Sequence, residues 1–184
     1  MSLLFLVHAI CQPASLIVLG ISAAIDLKDR VIPNELVVAI AVIGFAQGLA
    51  LRPGLVWFSL LVAIIVFFGL WIVAHVKIIG GGDLKLISAV TLLVPPDRVG
   101  QLLIDIVLAG GLLSCFYLAA HYGLKRLPEP RSASAEAAPS AKKSGFVRTL
   151  KAERIRIGGG YPMPYAVAVL GGVIVYNAMQ FLQP

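Results

Sequence analysis

Charged residues are scarce in this chain. Only 13% of its 184 residues are Asp, Glu, Lys or Arg, whereas 59% are hydrophobic. A soluble domain is typically about 25% charged and about 45–50% apolar. The shortage of charge therefore argues against an ordinary soluble enzyme and predicts an all-α, polytopic membrane protein with about six transmembrane helices.

Cysteine is also nearly absent. The two cysteines, Cys11 and Cys115, both lie in apolar segments and are interpreted as small core side chains. A disulfide framework or a zinc site needs more cysteines at closer spacing, and the three histidines show no metal-ligand spacing. The sequence therefore predicts neither a metal nor a cofactor.

Long apolar segments dominate instead, and about 20 residues are needed to span a bilayer. Six can be drawn, at residues 3–25, 35–51, 55–74, 83–94, 98–122 and 161–181. Thirteen of the 15 Lys and Arg residues fall on one side of this arrangement, and only Arg52 and Arg98 fall on the other. The positive-inside rule makes the basic side cytoplasmic and both termini periplasmic. The net charge of +6 then reflects topology, and no nucleic-acid partner is expected.

One polar stretch, at about residues 123–158, stands out within the predicted single membrane domain of residues 1–184. Residues 128–144 are rich in Ala, Ser, Pro and Lys, which is typical of a flexible linker. Residues 146–157 carry four basic residues and form either a basic amphipathic helix on anionic lipid or a solvated loop. We therefore expect a flexible basic cytoplasmic loop that contacts anionic lipids.

Two acidic residues mark the cytoplasmic side of this topology. Asp26 closes the first segment, and Asp83 opens the fourth, directly after Gly80-Gly81-Gly82. Ionisable groups at membrane depth are costly and are functional-site candidates by default. Two carboxylates in one cavity can share a proton and activate a water molecule. The pair therefore predicts aspartyl-protease chemistry.

The segment after the glycines is short. A helix over residues 83–94 would be about 18 Å long, less than the roughly 30 Å hydrocarbon core. Glycine is a poor helix former, so we expect non-helical backbone before Asp83, lining a hydrated cavity. In this interpretation Gly80 and Gly82 shape the site, and Gly82 allows a close approach to Asp83.

Each acid also has a simpler explanation. Asp83 could simply cap a helix N-terminus, and the glycines could simply permit close helix packing. Asp26 could belong to a loop in which Pro33 and Asn34 start the next helix. Asp29 lies further into that loop and is interpreted as solvated. Asp105, inside the fifth segment, is expected to be a buried acid hydrogen-bonded within the bundle.

The two aspartate motifs resemble those of type IV prepilin peptidases, which are GxGD-type membrane aspartyl proteases. They are Asp26 with Arg30-Val31-Ile32-Pro33-Asn34, and Gly80-x-Gly82-Asp83-x-Lys85-Leu86. A third likeness is Pro162-Met163-Pro164-Tyr165-Ala166-Val167-Ala168 near the end of the chain. The resemblance implies that Asp26 and Asp83 are catalytic. It implies that Gly80, Gly82, Lys85, Pro33, Asn34 and Pro164 shape the site or bind substrate.

The resemblance also implies a partner and a location. The expected substrate is a prepilin, cleaved at the cytoplasmic face of the bacterial inner membrane, with pilus or secretion assembly components as further partners. Larger members carry a cysteine-rich cytoplasmic region and methylate the new N-terminus, and this chain has no such region. It is similar to the short peptidases of tight-adherence (Flp-type) pilus systems, so cleavage without methylation is expected.

Two other functions fit the same acids. A small proton-coupled transporter could relay ions through intramembrane carboxylates and a discontinuous helix, although no internal repeat is found. A non-catalytic secretion or pilus assembly factor would need neither aspartate for chemistry.

Overall fold

The computed structural model describes residues 3–76, 80–125 and 164–182. The α-helices within these ranges are α1 (Leu3–Asp29), α2 (Asn34–Leu51), α3 (Val56–His75), α4 (Gly81–Val90), α5 (Val99–Lys125) and α6 (Tyr165–Leu182). Two short 3-10 turns, Thr91–Leu93 and Pro96–Arg98, connect α4 to α5. No β-strand occurs in these described ranges, which confirms the prediction of an all-α protein.

Four stretches are long and apolar enough to cross a membrane: Ala9–Asp29, Asn34–Leu51, Val56–His75 and Pro96–Ala119. A shorter apolar helix, Tyr165–Gln180, lies within α6. Large apolar side chains face outward, as on α3, where Trp57, Phe58 and Trp71 are exposed. Because water would penalise such a surface and lipid chains would not, the protein is a multi-pass membrane protein.

Helix α4 is shorter than the hydrocarbon core of a bilayer. Its 10 residues span about 15 Å, half of the roughly 30 Å hydrocarbon core. The prediction that the glycine run precedes the helix is wrong for Gly81 and Gly82, which form the first turn of α4. Gly80 alone is extended, with φ −72° and ψ 149°. Glycine is most costly in a helix interior, so a first turn can contain two of them.

The core surrounds α4, which packs against α2, α3 and α6, while α1 packs against α2 and α6. Fully buried side chains of this core include Leu19, Ile40, Leu86, Val90 and Val169. These residues belong to one compact unit made of Met1–Gly111 and Pro164–Pro184. A second unit comprises Leu112–Met163, of which the described residues 112–125 continue α5.

Two glycines hold neighbouring elements of the first unit in close contact. A Cβ on Gly44 of α2 would lie 2.8 Å from the Leu92 Cβ. A Cβ on Gly172 of α6 would lie 2.5 Å from the Ile106 Cα of α5. Small residues of this kind let helix backbones approach in membranes, where tight packing replaces the hydrophobic effect as the driving force.

Several predictions fall outside the described residues. They concern Lys77, the basic loop at about 123–158 with its linker (128–144) and amphipathic segment (146–157), and the motif residues Pro162 and Met163.

Candidate active site

Asp26 lies near the end of α1 with its side chain turned into the bundle. It is 5% exposed, whereas Asp29, one turn later, is exposed. The helix ends because Arg30 adopts a left-handed conformation, φ 57°, and its N–H donates to the Asp26 carbonyl oxygen at 3.0 Å. Such a residue terminates a helix and turns the chain away. The turn leaves Asp26 inside and Asp29 outside, as the sequence predicts.

The buried Asp26 carboxylate meets the start of α6. The backbone N–H of Ala166 donates to Asp26 Oδ2 at 3.0 Å. Ala166 is the second residue of α6, and the first four N–H groups of a helix have no intrahelical acceptor. These groups carry the positive end of the helix dipole. The contact therefore gives the buried Asp26 carboxyl a backbone hydrogen-bond donor from α6.

Asp83 occupies the third position of α4, where an acidic side chain can reach back to the N-cap. It accepts a hydrogen bond from the backbone of the N-cap residue, Gly80. The pKa of Asp83 is nevertheless raised to about 6, first by burial and then by the charge of Asp26, against the opposing effect of that hydrogen bond. The two carboxyl groups are therefore close enough to interact electrostatically.

Gly80 is the most crowded of the three motif glycines. A Cβ at position 80 would lie 2.8 Å from Asp83 Oδ2, whereas a Cβ at position 81 would have nothing within 4 Å. A Cβ at position 82 would lie 3.4 Å from the Ile32 Cβ, which is an ordinary contact. Gly80 therefore makes room for the Asp83 carboxylate, whereas position 82 has space for a Cβ beside Ile32.

Two contacts join that loop to the start of α4. Ile32 lies against Gly82, and the Lys85 Nζ donates to Asn34 Oδ1 at 3.2 Å. Pro33 is the extended residue before α2, and Asn34 is the first residue of that helix. Because the loop begins four residues after Asp26, these contacts couple the position of Asp26 to that of Asp83. Lys85 thus has a side-chain partner on α2.

Tyr165 was not predicted as a site residue. Its phenol interacts electrostatically with Asp83, and its ring lies close to Gly110 of α5. The preceding Pro164 is fully buried, and the following Ala166 bonds to Asp26. Residues 165 and 166 therefore interact with both acids, Tyr165 electrostatically with Asp83 and Ala166 by a hydrogen bond to Asp26. The sequence did include Tyr165 in the third family-like motif, but only Pro164 of that motif was predicted to shape the site.

Asp105 lies elsewhere. It is 7% exposed, as expected for a buried acid, but its Oδ2 has no hydrogen-bond partner within the described part of the chain. It interacts electrostatically with Tyr176, as do Arg52 and Arg98. Tyr176 follows Tyr165 by eleven residues, about 16 Å along α6. Asp105 thus belongs to a polar cluster toward the other end of α6.

The arrangement of Asp26 and Asp83 is suited to acid–base chemistry on one substrate. An ionised carboxylate can accept a proton from water, and a neighbouring protonated carboxyl can donate one. In the described ranges, no group of three or more His, Cys, Asp or Glu residues is placed to hold a metal ion.

Comparison with known proteins identifies the family of the chain. The model of the type IV leader peptidase family matches residues 14–122, a range that contains both acids and more than half of the chain. Searches of curated proteins and of solved structures each found no significant match. The chain belongs to the type IV leader peptidase family.

Proposed function

We propose that this member of the type IV leader peptidase family is an aspartic-type protease. We also propose that it acts on one class of prepilin. The protein removes the leader peptide of Flp-type prepilins at the cytoplasmic face of the bacterial inner membrane. The observation that carries the aspartic mechanism is the electrostatic contact of Asp83 with the buried Asp26.

In the proposed reaction, a water molecule lies between the two carboxyl groups and the scissile peptide. One carboxylate takes a proton from the water as the water oxygen attacks the carbonyl carbon of the peptide. The protonated carboxyl polarises the carbonyl oxygen and later donates its proton to the leaving amine as the C–N bond breaks, while the proton taken from water stays on the other carboxyl. Proton transfer of this kind contributes about 10²- to 10⁴-fold to the rate.

The cytoplasmic orientation rests on the distribution of basic residues. Arg52 and Arg98, the two exceptions to the positive-inside pattern, both interact with Tyr176. Tyr176 is about 16 Å along α6 from Tyr165, which interacts with Asp83. The exceptional arginines and the acidic pair therefore lie toward opposite ends of α6, which supports placing the acids on the basic, cytoplasmic side.

Further partners follow from the same orientation. A cytoplasmic loop with several Lys and Arg residues would attract anionic lipid headgroups, with about 1 kcal/mol for each basic residue near the surface. Pilus or secretion assembly components would meet the same membrane face.

Co-expression tests the function. The chain is produced with a Flp-type prepilin in a bacterium that lacks its own leader peptidases, and the pilin is followed by mobility shift and N-terminal sequencing. We expect cleavage directly before the apolar helix of the pilin, and none without the chain. A prepilin of another type IV system, assayed beside it, tests the narrower substrate. Equal cleavage of both would contradict the Flp-type assignment, and cleavage of neither would contradict the function.

A further inference from the structure

Polar side chains toward the far end of α6 form a second site, remote from the acidic pair. We name it the distal polar cluster, and its members are Gln47 and Arg52 at the end of α2, Arg98 in the second 3-10 turn, Asp105 on α5, and Tyr176 and Gln180 on α6. We propose that this cluster binds the headgroup of a zwitterionic amine phospholipid, with the phosphate at the two arginines and the ammonium at Asp105 and Gln47. The proposal is independent of the peptidase function.

Close packing of the backbones brings these elements together. At Gly44, α2 approaches the first 3-10 turn, which leads toward Arg98, and at Gly172, α6 approaches the backbone of α5. The phenol of Tyr176 interacts electrostatically with both arginines and with Asp105. The cluster therefore places positive and negative groups around one buried tyrosine.

Four buried side-chain atoms of this cluster have no hydrogen-bond partner among the described residues. Two are donors, Arg52 Nη1 and Gln180 Nε2, and two are acceptors, Gln47 Oε1 and Asp105 Oδ2. Gln47 is 3% exposed and Asp105 is 7% exposed. Buried polar atoms are normally satisfied, and lipid chains offer them neither donors nor acceptors. Donors and acceptors that meet in one cluster without bonding to each other are suited to a group that bridges them.

The charges select a zwitterion as that group. Arg52 and Arg98 are balanced by Asp105 and by Asp97, which pairs with Arg98 at 3.6 Å, so the formal charges cancel. Arginine matches the geometry of phosphate oxygens. A primary ammonium has three donors and no acceptor, which suits Asp105 Oδ2 and Gln47 Oε1. A headgroup with only negative charge would complement the arginines and be repelled by the acids.

The cluster lies where lipid headgroups lie. Arg52 directly follows the candidate span Asn34–Leu51, and Arg98 is in the first turn of the span Pro96–Ala119. The Arg98 side chain is 42% exposed, so the site is accessible from outside the bundle. Asp105 is about two turns further along α5, but helical side chains point toward the helix N-terminus, here toward the arginines. These arginines are also the only basic residues predicted on this side of the membrane, as expected if each has a specific partner.

Native mass spectrometry of the purified full-length protein tests the proposal without any variant. Phosphatidylethanolamine and phosphatidylcholine with the same acyl chains are compared, since both carry the two charges but only the first has ammonium N–H donors. We expect phosphatidylethanolamine to be retained about tenfold better, because hydrogen bonds to a charged group are strong enough for that discrimination. Equal retention of the two lipids would refute the proposal, and it is the result expected if water alone occupies the site.

Variants then assign the preference to the cluster. Asp105→Asn should abolish the preference for phosphatidylethanolamine over phosphatidylcholine, and Arg52→Gln should lower retention of phosphatidylethanolamine by about tenfold. Asp29→Asn makes the same change at an exposed acid at the opposite end and should match wild type. An unchanged preference in Asp105→Asn would refute the proposal. So would a loss of phosphatidylglycerol but not of phosphatidylethanolamine in Arg52→Gln, because the site would then take an anionic headgroup.

Discussion

Gly80→Ala separates a requirement for catalysis from a requirement for folding. The added Cβ would lie 2.8 Å from Asp83 Oδ2, closer than carbon and oxygen atoms normally approach. Gly80 has φ −72° and ψ 149°, which alanine adopts without strain. The backbone can therefore accept the substitution, and the flexible end of the Asp83 side chain must move instead.

The magnitude follows from that displacement. Relief of the contact moves the carboxylate by a few tenths of an ångström or more. A misplacement of about 1 Å at a reacting group can cost roughly a hundredfold in rate. We therefore expect Gly80→Ala to lower kcat/KM by about ten- to a hundredfold. Loss of folding stability should stay below about 1 kcal/mol, since replacing an N-cap residue by alanine typically costs about that much or less.

Gly81→Ala is the matched control. It adds the same methyl group to the next residue, where nothing lies within 4 Å. The assay is cleavage of prepilin by purified variants in lipid, with thermal unfolding measured in parallel. We expect Gly81→Ala to cleave at nearly the wild-type rate. Wild-type cleavage by Gly80→Ala, or an equal loss in both variants, would refute the argument that position 80 must leave space for the carboxylate.

Three further predictions concern packing, the loop and topology. Gly172→Ala should destabilise the bundle by about 1–3 kcal/mol, because the added Cβ would overlap the backbone of α5. Gly100→Ala adds the same methyl group in open space and should not destabilise it. Equal thermal stability of the two variants would contradict this prediction. Asn34→Ala removes the acceptor of the exposed Lys85 hydrogen bond and should lower cleavage by less than about tenfold. A larger loss would assign Asn34 a direct role in the reaction. A cysteine at Ser140 should resist an impermeant thiol reagent in intact cells and react after lysis, and labelling of intact cells would refute the cytoplasmic loop.

The sequence was sufficient to single out two acids that the structure brings close enough to interact electrostatically. The scarcity of charge makes each of them conspicuous, and the basic loops predict that both lie on the cytoplasmic side. The exposed Asp29 was correctly distinguished from Asp26, since the left-handed Arg30 turns the chain outward after Asp26. However, arginine is not a residue type that favours the left-handed conformation, so the turn at Arg30 could not be predicted.

The contacts of the acids could not be predicted. Ala166 is 140 positions from Asp26, and its contribution is a backbone amide, which every residue except proline possesses. The start of α4 at Gly81 was also not predicted, because average helix propensities penalise glycine equally in the first turn and in the helix interior. Asp105 was correctly expected to be buried, but the hydrogen bond expected for it is not found at Oδ2.

The central claim is that Asp26 and Asp83 together cleave prepilin, and the most direct measurement compares purified variants on one substrate. Wild type, Asp26→Asn, Asp83→Asn and Asp29→Asn are reconstituted in lipid at equal folded concentration, and product is quantified by mass spectrometry. We predict cleavage by wild type and Asp29→Asn, and a loss of at least about a hundredfold in each of the other two. Wild-type cleavage by either Asp26→Asn or Asp83→Asn would contradict the account.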